Sequence, residues 1–128
     1  PIWTISFVEG TRVRPHKVEK SQEYARKNSL PELNHVLLPR TKGFVATIGG
    51  LRNHLDAVYD VTIGYVDGVP TLWQWSKGYV KKVHMDVRRV PVSELPTDDD
   101  ALDRWLVDRY AQKDARLAQY YETGSFEA

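Results

Sequence analysis

Two similar stretches dominate this sequence: Phe7-Val8-Glu9-Gly10-Thr11-Arg12 and Leu37-Leu38-Pro39-Arg40-Thr41-Lys42-Gly43. Each ends an apolar, strand-like run in a tight turn that carries cationic side chains. A strand–turn–helix junction of this kind exposes backbone N–H groups and therefore suits an anion. We expect the two turns to form two walls of a site for a phosphorylated ligand.

The first turn has the residue types that phosphate binding needs. Gly10 permits a backbone conformation that a Cβ would forbid, Thr11 offers a hydroxyl, and Arg12 offers a planar fork of donors. Glu9 could brace the Arg12 guanidinium or accept a hydrogen bond from a ligand hydroxyl. The structural alternative is a surface ion pair between Glu9 and Arg12, which would say nothing about function.

The second turn repeats this pattern. Pro39 fixes the exit from the predicted strand, and Arg40 and Lys42 place two cations at the start of a predicted helix. Because the helix dipole disfavours cations at that end, their position is easier to explain if an anion binds there.

The hydrophobic pattern predicts an α/β fold. The expected strands are 2–8, 34–38, 57–66 and 82–90, and the expected helices are 18–27, 41–51 and 98 to about 121. Helices alternate with strands in the first half, and a strand pair and a long helix follow. A soft domain boundary is expected near 67–70, where this alternation stops.

Composition restricts the possible functions of the chain. With 128 residues it is about one domain, and its net charge of +1 provides no global field for nucleic acid. Cysteine is absent, which excludes disulfides, thiolate metal sites and cysteine nucleophiles. No signal peptide or membrane span is recognisable. Residue 1 is proline and a strand is expected directly after it, so we expect the chain to be cut from a longer protein.

The order of the two motifs, F-x-E-G-T-R followed by L-L-P-R-T-K-G-F, resembles the glycerophospholipid acyltransferase family, specifically its 1-acylglycerol-3-phosphate and related lysophospholipid acyltransferases. The resemblance covers nearly the whole chain. It continues through Leu51-Arg52, residues 55–62, Val87-Arg88-Arg89, Trp105-Leu106 and Lys113-Asp114.

The resemblance implies transfer of a fatty acyl group from acyl-CoA to a lysophospholipid such as lysophosphatidic acid, giving phosphatidic acid. It implies that Glu9, Gly10, Thr11 and Arg12 hold the acceptor phosphate and that Pro39 and Arg40 shape the neighbouring wall. With Lys42, the second cation of that turn, these are the expected substrate-binding residues. Acyl-CoA would be a co-substrate, with no separate cofactor, no metal and no nucleic acid involved.

The resemblance also implies a fold and a location. Residues 1–66 would be the C-terminal part of the acyltransferase core, with a partial acyltransferase-type sheet and flanking helices, and residues 67–128 would be the C-terminal region. The protein would be membrane-associated through parts outside this chain, at the endoplasmic reticulum if eukaryotic or the inner membrane if bacterial, with the active-site domain facing the cytosol.

The sequence departs from the family pattern in two places. The usual proline after the phenylalanine is Val8, a minor difference. More importantly, the family's catalytic histidine is followed five positions later by an aspartate, and the histidine acts as general base. At that offset, His16 is followed by Ser21, His35 by Arg40, His54 by Tyr59 and His84 by Arg89. We therefore expect no catalytic residue in this chain, an inactive isolated piece, and a catalytic pair before residue 1.

Several alternatives stay open at this level. A structural role is the favoured interpretation for all four histidines. Lys81-Lys82 near Trp73, Trp75 and Tyr79 could form a patch at a membrane interface, or the aromatic residues could pack on the open side of the sheet. For the whole chain, the alternatives are a non-catalytic lysophospholipid- or phosphate-binding module derived from such an enzyme, and an α/β domain whose motifs are structural.

Overall fold

A computed structural model describes residues 2–127. These residues form four α-helices and one pair of strands: α1 (Pro15–Lys27), α2 (Thr41–Leu51), β1 (Ala57–Tyr65), α3 (Leu72–Ser76), β2 (Val83–Pro91) and α4 (Asp99–Thr123). Short 3-10 turns at Arg52–His54 and Val92–Glu94 follow α2 and β2.

The two strands are antiparallel, with Ala57 opposite Pro91 at one end and Tyr65 opposite Val83 at the other. Successive side chains of a strand point to opposite faces, and here the two faces differ sharply. The face towards α4 is polar, whereas the opposite face is apolar and largely exposed. The apolar face carries Tyr59, Val61, Ile63, Val83, Met85 and Val87.

Ion pairs attach the polar face of the sheet to α4. Lys113 Nζ lies 2.7 Å from an oxygen of Asp60 on β1 and donates a hydrogen bond to the Val61 carbonyl at 3.1 Å. Arg116 Nε lies 2.8 Å from Asp86 on β2. These side chains are mostly shielded from water. Salt therefore screens the attraction between their charges less than it would at an open surface.

Gly64 allows α4 to approach β1 closely. A Cβ at this position would lie 2.5 Å from the ring of Tyr120, closer than side chains can pack. Tyr120 is almost fully buried, whereas its neighbour Tyr121 is partly exposed. Tyr120 therefore belongs to the buried stripe of the helix, and Tyr121 does not.

Two small hydrophobic clusters form the core, and α4 contributes to both. Leu106, Tyr110 and Leu117 pack with Leu33 and Val36 from the loop between α1 and α2. Leu102, nearer the start of the helix, packs with Ile48 of α2 and with Leu95. Asp98 caps α4 by accepting the Ala101 N–H at 2.9 Å.

The predicted strand pair and the three predicted helices are confirmed, with small shifts at their ends. The predicted strand over 34–38 is wrong. Its backbone N–H groups are bonded to side chains instead of to a neighbouring strand. Asp114 Oδ1 accepts from Asn34, His35 and Val36 at 2.9, 2.6 and 3.2 Å, Glu9 accepts from Leu37, and Ser21 accepts from Leu38.

The predicted strand over 2–8 is also absent, although its composition favours a strand. A strand needs a hydrogen-bonded neighbour, and between residues 2 and 127 only β1 and β2 pair with each other. The apolar side chains of this segment are exposed, with Ile2 at 89% and Phe7 at 85%, and Trp3 contacts Tyr59 on the apolar face of the sheet.

The described part of the chain is thus a mixed α and β structure. Its sheet has two strands, and residues 66–82 connect them. This connection crosses the expected domain boundary between residues 66 and 67. The partial acyltransferase-type sheet and the division into two regions both stay predictions.

We expect Asp114→Ala to lower the free energy of unfolding by about 2–4 kcal/mol, because three backbone N–H groups would lose a charged acceptor in a buried place. Urea denaturation followed by circular dichroism measures this change. Asp108→Ala, at an exposed position of the same helix, is the control and should change stability by about 0.5 kcal/mol or less. Equal effects of the two substitutions would contradict a central role for Asp114.

Candidate functional site

The structure brings the two motif turns together. The Arg40 backbone N–H donates to the Val8 carbonyl at 2.7 Å, and the Gly10 N–H donates to the Phe7 carbonyl at 3.0 Å, which closes the first turn. The hydrogen bond between positions 8 and 40 therefore brings the two turns into one surface. This adjacency is what the sequence predicts for the two walls of one site.

Gly10 provides both a backbone conformation and space. Its φ of 70° is in the left-handed region, where side chains are disfavoured. The Arg40 side chain passes close by, since a Cβ at Gly10 would lie 3.1 Å from Arg40 Cδ and Nε. Any larger residue at position 10 would strain the turn and displace this arginine.

Glu9 faces the interior of the molecule. Its carboxylate accepts a hydrogen bond from the Leu37 N–H at 2.9 Å, and so links the first turn to the residues that lead into the second turn. Burial raises the pKa of Glu9, while the Leu37 hydrogen bond and the Lys113 charge act in the opposite direction. Burial also raises the pKa of Tyr110, with smaller contributions from the negative charges of Glu9 and Asp60. The alternative of a surface pair between Glu9 and Arg12 is therefore wrong.

Arg12 and Arg40 have exposed side chains, and within residues 2–127 neither side chain forms a hydrogen bond or an ion pair. Thr11 is exposed beside them, whereas Pro39 is buried at the base of the second turn. Two unpaired guanidinium groups on adjacent turns suit a phosphate group, whose oxygens accept paired hydrogen bonds from arginine.

Lys42 lies in a different setting. It lines a shallow surface groove with three acidic residues from the start of α4: Asp99, Asp100 and Asp103. These carboxylates offer a local explanation for a cation at the start of α2, so Lys42 has a weaker case as a phosphate ligand than Arg12 and Arg40.

Two helices begin beside the two turns without a side-chain cap. Arg14 is the N-cap residue of α1 and Arg40 is the N-cap residue of α2, and neither helix has an acidic residue in its first turn. In α2 the first N–H groups lack the capping hydrogen bond that other helix starts receive from a side chain, whereas α1 begins with Pro15, which has no N–H, and its Lys17 N–H donates to the Arg14 carbonyl at 2.8 Å. A bound anion would satisfy such donors and offset the repulsion between the arginines and the helix dipoles.

The assignment of Glu9, Gly10, Thr11, Arg12, Pro39, Arg40 and Lys42 to acceptor binding stays a prediction. Ser21 of α1 and Asp114 of α4 hold the segment that leads into the second turn, and Lys113 attaches α4 to β1; the sequence predicts no role for these three residues. Lys113-Asp114 falls in one of the stretches of family resemblance, which is the only signal in the sequence that marks it.

The histidines have separate surroundings. His35 lies against Tyr121, with ring centroids 5.5 Å apart, and His84 meets Tyr120 edge-on at 5.6 Å. His16 and His54 are exposed. Among residues 2–127 no cluster of three or more His, Asp or Glu residues could hold a metal ion, and no helix there has the length and apolar character needed to cross a membrane.

Comparison with known proteins gives consistent matches. Residues 77–128 match the family described as Acyltransferase C-terminus. The chain is 47% identical over 121 residues to the human protein named 1-acyl-sn-glycerol-3-phosphate acyltransferase delta, which covers 92% of this chain and 32% of that protein. It is 40% identical over 126 residues to 1-acyl-sn-glycerol-3-phosphate acyltransferase 3 of Arabidopsis thaliana, covering 97% of this chain and 34% of that protein.

The chain thus spans about a third of the length of the curated relatives it matches. No solved structure matches it. The expected resemblance is confirmed over nearly all of the chain, which is similar along that length to proteins named 1-acyl-sn-glycerol-3-phosphate acyltransferases, and we conclude that it belongs to the glycerophospholipid acyltransferase family.

Proposed function

We propose that this chain binds the phosphate of a lysophospholipid acceptor, in an enzyme that transfers a fatty acyl group from acyl-CoA to lysophosphatidic acid and forms phosphatidic acid. The observation that carries the proposal is the hydrogen bond of 2.7 Å between Arg40 and Val8, which joins the two motif turns. The two relatives compared above are both named 1-acyl-sn-glycerol-3-phosphate acyltransferase, which supports the choice of acceptor.

In this proposal Arg12 and Arg40 contact the phosphate directly. Their guanidinium groups provide paired donors to its oxygens, and Thr11 adds a hydroxyl. Gly10 supplies the left-handed backbone of the first turn and the space that the Arg40 side chain needs. Glu9 is a positioning residue, since its carboxylate holds the Leu37 segment and does not face outward.

The proposed chemistry needs a general base that removes the proton of the acceptor hydroxyl as its oxygen attacks the thioester carbonyl. The departing sulfur of coenzyme A then leaves as the thiol. No histidine of the chain is followed five positions later by an aspartate, so we propose that these 128 residues do not supply that base.

We further propose that the enzyme acts at a membrane, since both its acceptor and its product are lipids. Acyl-CoA is the co-substrate, and no metal or other cofactor takes part in the proposed step. The alternative is a lysophospholipid-binding module without catalytic activity, and binding assays and turnover assays together distinguish the two.

We expect Arg12→Ala and Arg40→Ala each to weaken binding of lysophosphatidic acid by the 128-residue chain at least about tenfold, because each removes a charge-assisted contact worth about 1.5–3 kcal/mol. Titration calorimetry with lysophosphatidic acid below its critical micelle concentration measures this loss. Arg104→Ala, at an exposed position of α4, is the matched control and should bind like the parent. Unchanged binding in both turn variants would leave the motifs with only a structural role.

Turnover by the chain is tested by incubating it with oleoyl-CoA and lysophosphatidic acid and measuring the release of free thiol. We expect no release above the rate without protein, because no general base is available. Release that depends on both substrates would contradict this expectation, and would show that these 128 residues contain a general base.

The position of Glu9 predicts a pH dependence of stability. Because burial raises its pKa above 4.5, the folded chain holds a proton on Glu9 at pH values where the unfolded chain has lost it. Glu9 therefore favours the folded state less as the pH rises from about 4.5 through the raised pKa. Glu9→Gln keeps an acceptor for the Leu37 N–H and removes this titration.

We accordingly expect the stability of Glu9→Gln relative to the parent to increase as the pH rises across that interval, as measured by urea denaturation at a series of pH values. Glu19→Gln, at an exposed position of α1, is the comparison variant. A difference between Glu9→Gln and the parent that is constant with pH would show that Glu9 is not buried as described.

A further inference from the structure

The connection between β1 and β2 exposes an unusual number of apolar side chains. We call residues 69–82 the aromatic loop. Trp73 is 67% exposed, and Trp75 and Tyr79 are each 65% exposed, so these rings do not pack on the open side of the sheet. Val69 and Leu72 are exposed as well. The structure therefore excludes one of the two interpretations that the sequence leaves open for this region.

Local hydrogen bonds hold the loop in a defined conformation. Thr71 and Gln74 form a reciprocal capping box at the start of α3, with bonds of 3.2 and 2.9 Å. Gly78, with φ at 72°, ends the helix, and the Tyr79 N–H returns to the Gln74 carbonyl at 3.0 Å. The aromatic rings are thus presented to solvent by a structured turn.

The charge of this region is positive, although the whole chain is nearly neutral. Residues 66–82 contain three lysines, Lys77, Lys81 and Lys82, against one acidic residue, Asp67, which gives a local net charge of +2. Lys77 Nζ lies 4.6 Å from the centre of the Trp73 ring. Cationic and aromatic groups therefore occupy the same small surface.

This combination matches an anionic lipid surface better than a protein partner. Tryptophan and tyrosine are enriched at the level of lipid headgroups, where one edge of the ring is apolar and the other is hydrated. Lysine is depleted in the cores of protein interfaces, whereas basic residues beside an anionic leaflet contribute attraction to it. Arginine, the residue best suited to bidentate phosphate contacts in nucleic acids, is absent from 66–82.

We infer that the aromatic loop is a membrane-contact element, which inserts Trp73, Trp75 and Tyr79 at headgroup depth while Lys77, Lys81 and Lys82 approach anionic lipids. This surface shares no residue with the two motif turns. A test on vesicles without lysophospholipid is therefore separate from the test of the phosphate site.

The experiment is co-sedimentation of the 128-residue chain with phosphatidylcholine vesicles, prepared with and without phosphatidylserine. We expect binding that requires phosphatidylserine and weakens with added salt. Lys81→Ala/Lys82→Ala should weaken it roughly 30-fold, since each lysine near such a surface contributes about fivefold. Trp73→Ala/Trp75→Ala should weaken it at least about tenfold, because two apolar rings are withdrawn from the interface.

Matched controls come from other exposed parts of the chain. Trp3→Ala removes a tryptophan that is 82% exposed outside the loop, and Lys17→Ala/Lys20→Ala removes two lysines of α1; both should bind like the parent. Circular dichroism checks that each variant keeps its fold. Failure of the parent to bind, equal binding to neutral vesicles, or unchanged binding of either loop variant would overturn the inference. Self-association through the loop without vesicle binding would overturn it as well.

Discussion

The carboxylate of Asp114 is the contact on which the rest of the structure depends. One oxygen accepts three consecutive backbone N–H groups, from Asn34, His35 and Val36, in a place that is nearly closed to water. A negative charge held by several backbone donors is well satisfied despite burial. The irregular segment before Pro39 therefore needs no neighbouring strand, and α4 fixes its course.

Hydrogen bonds from the backbone continue beyond the Asp114 contacts as far as the candidate site. Glu9 and Ser21 take the next two N–H groups, of Leu37 and Leu38, and Arg40 then bonds back to Val8. The acceptors come from the first turn and from α1. The two arginine-bearing turns are thus positioned by hydrogen bonds from the backbone to side chains and to the Val8 carbonyl, which depend on direction more strongly than apolar contacts do.

The sequence predicted those parts of the fold whose signals are local. Alternation over 57–66 and 82–90 and the helical spacing after Asp98 are properties of neighbouring residues, and these elements are present. The strands expected over 2–8 and 34–38 have suitable composition but no partner in the described residues. Composition cannot show that the backbone N–H groups of such a segment will donate to distant side chains. For residues 34–38 one such acceptor is Asp114, 76 or more positions away in the sequence.

The candidate site likewise combines features that the sequence predicts with features that depend on distant contacts. The cationic turns are evident from their motifs, and their similarity is the reason to expect them side by side. The inward orientation of Glu9 and the ion pair of Lys113 with Asp60 are not evident, because both depend on how α4 packs. The alternation of residues in β1 and β2 likewise predicts one apolar and one polar face. It does not predict that α4 covers the polar face.

The exposure of the apolar face of the sheet, with α4 on the polar face, has a consequence for assembly. In residues 2–127 each strand has one partner only, so both outer edges of the pair keep free backbone donors and acceptors, next to a face of valine, isoleucine and methionine. Edges of this kind readily accept a further strand. Since α4 is attached from the other side, through Asp60 and Asp86, the sheet can be widened in either direction, and its open face covered, without breaking any ion pair that holds the helix.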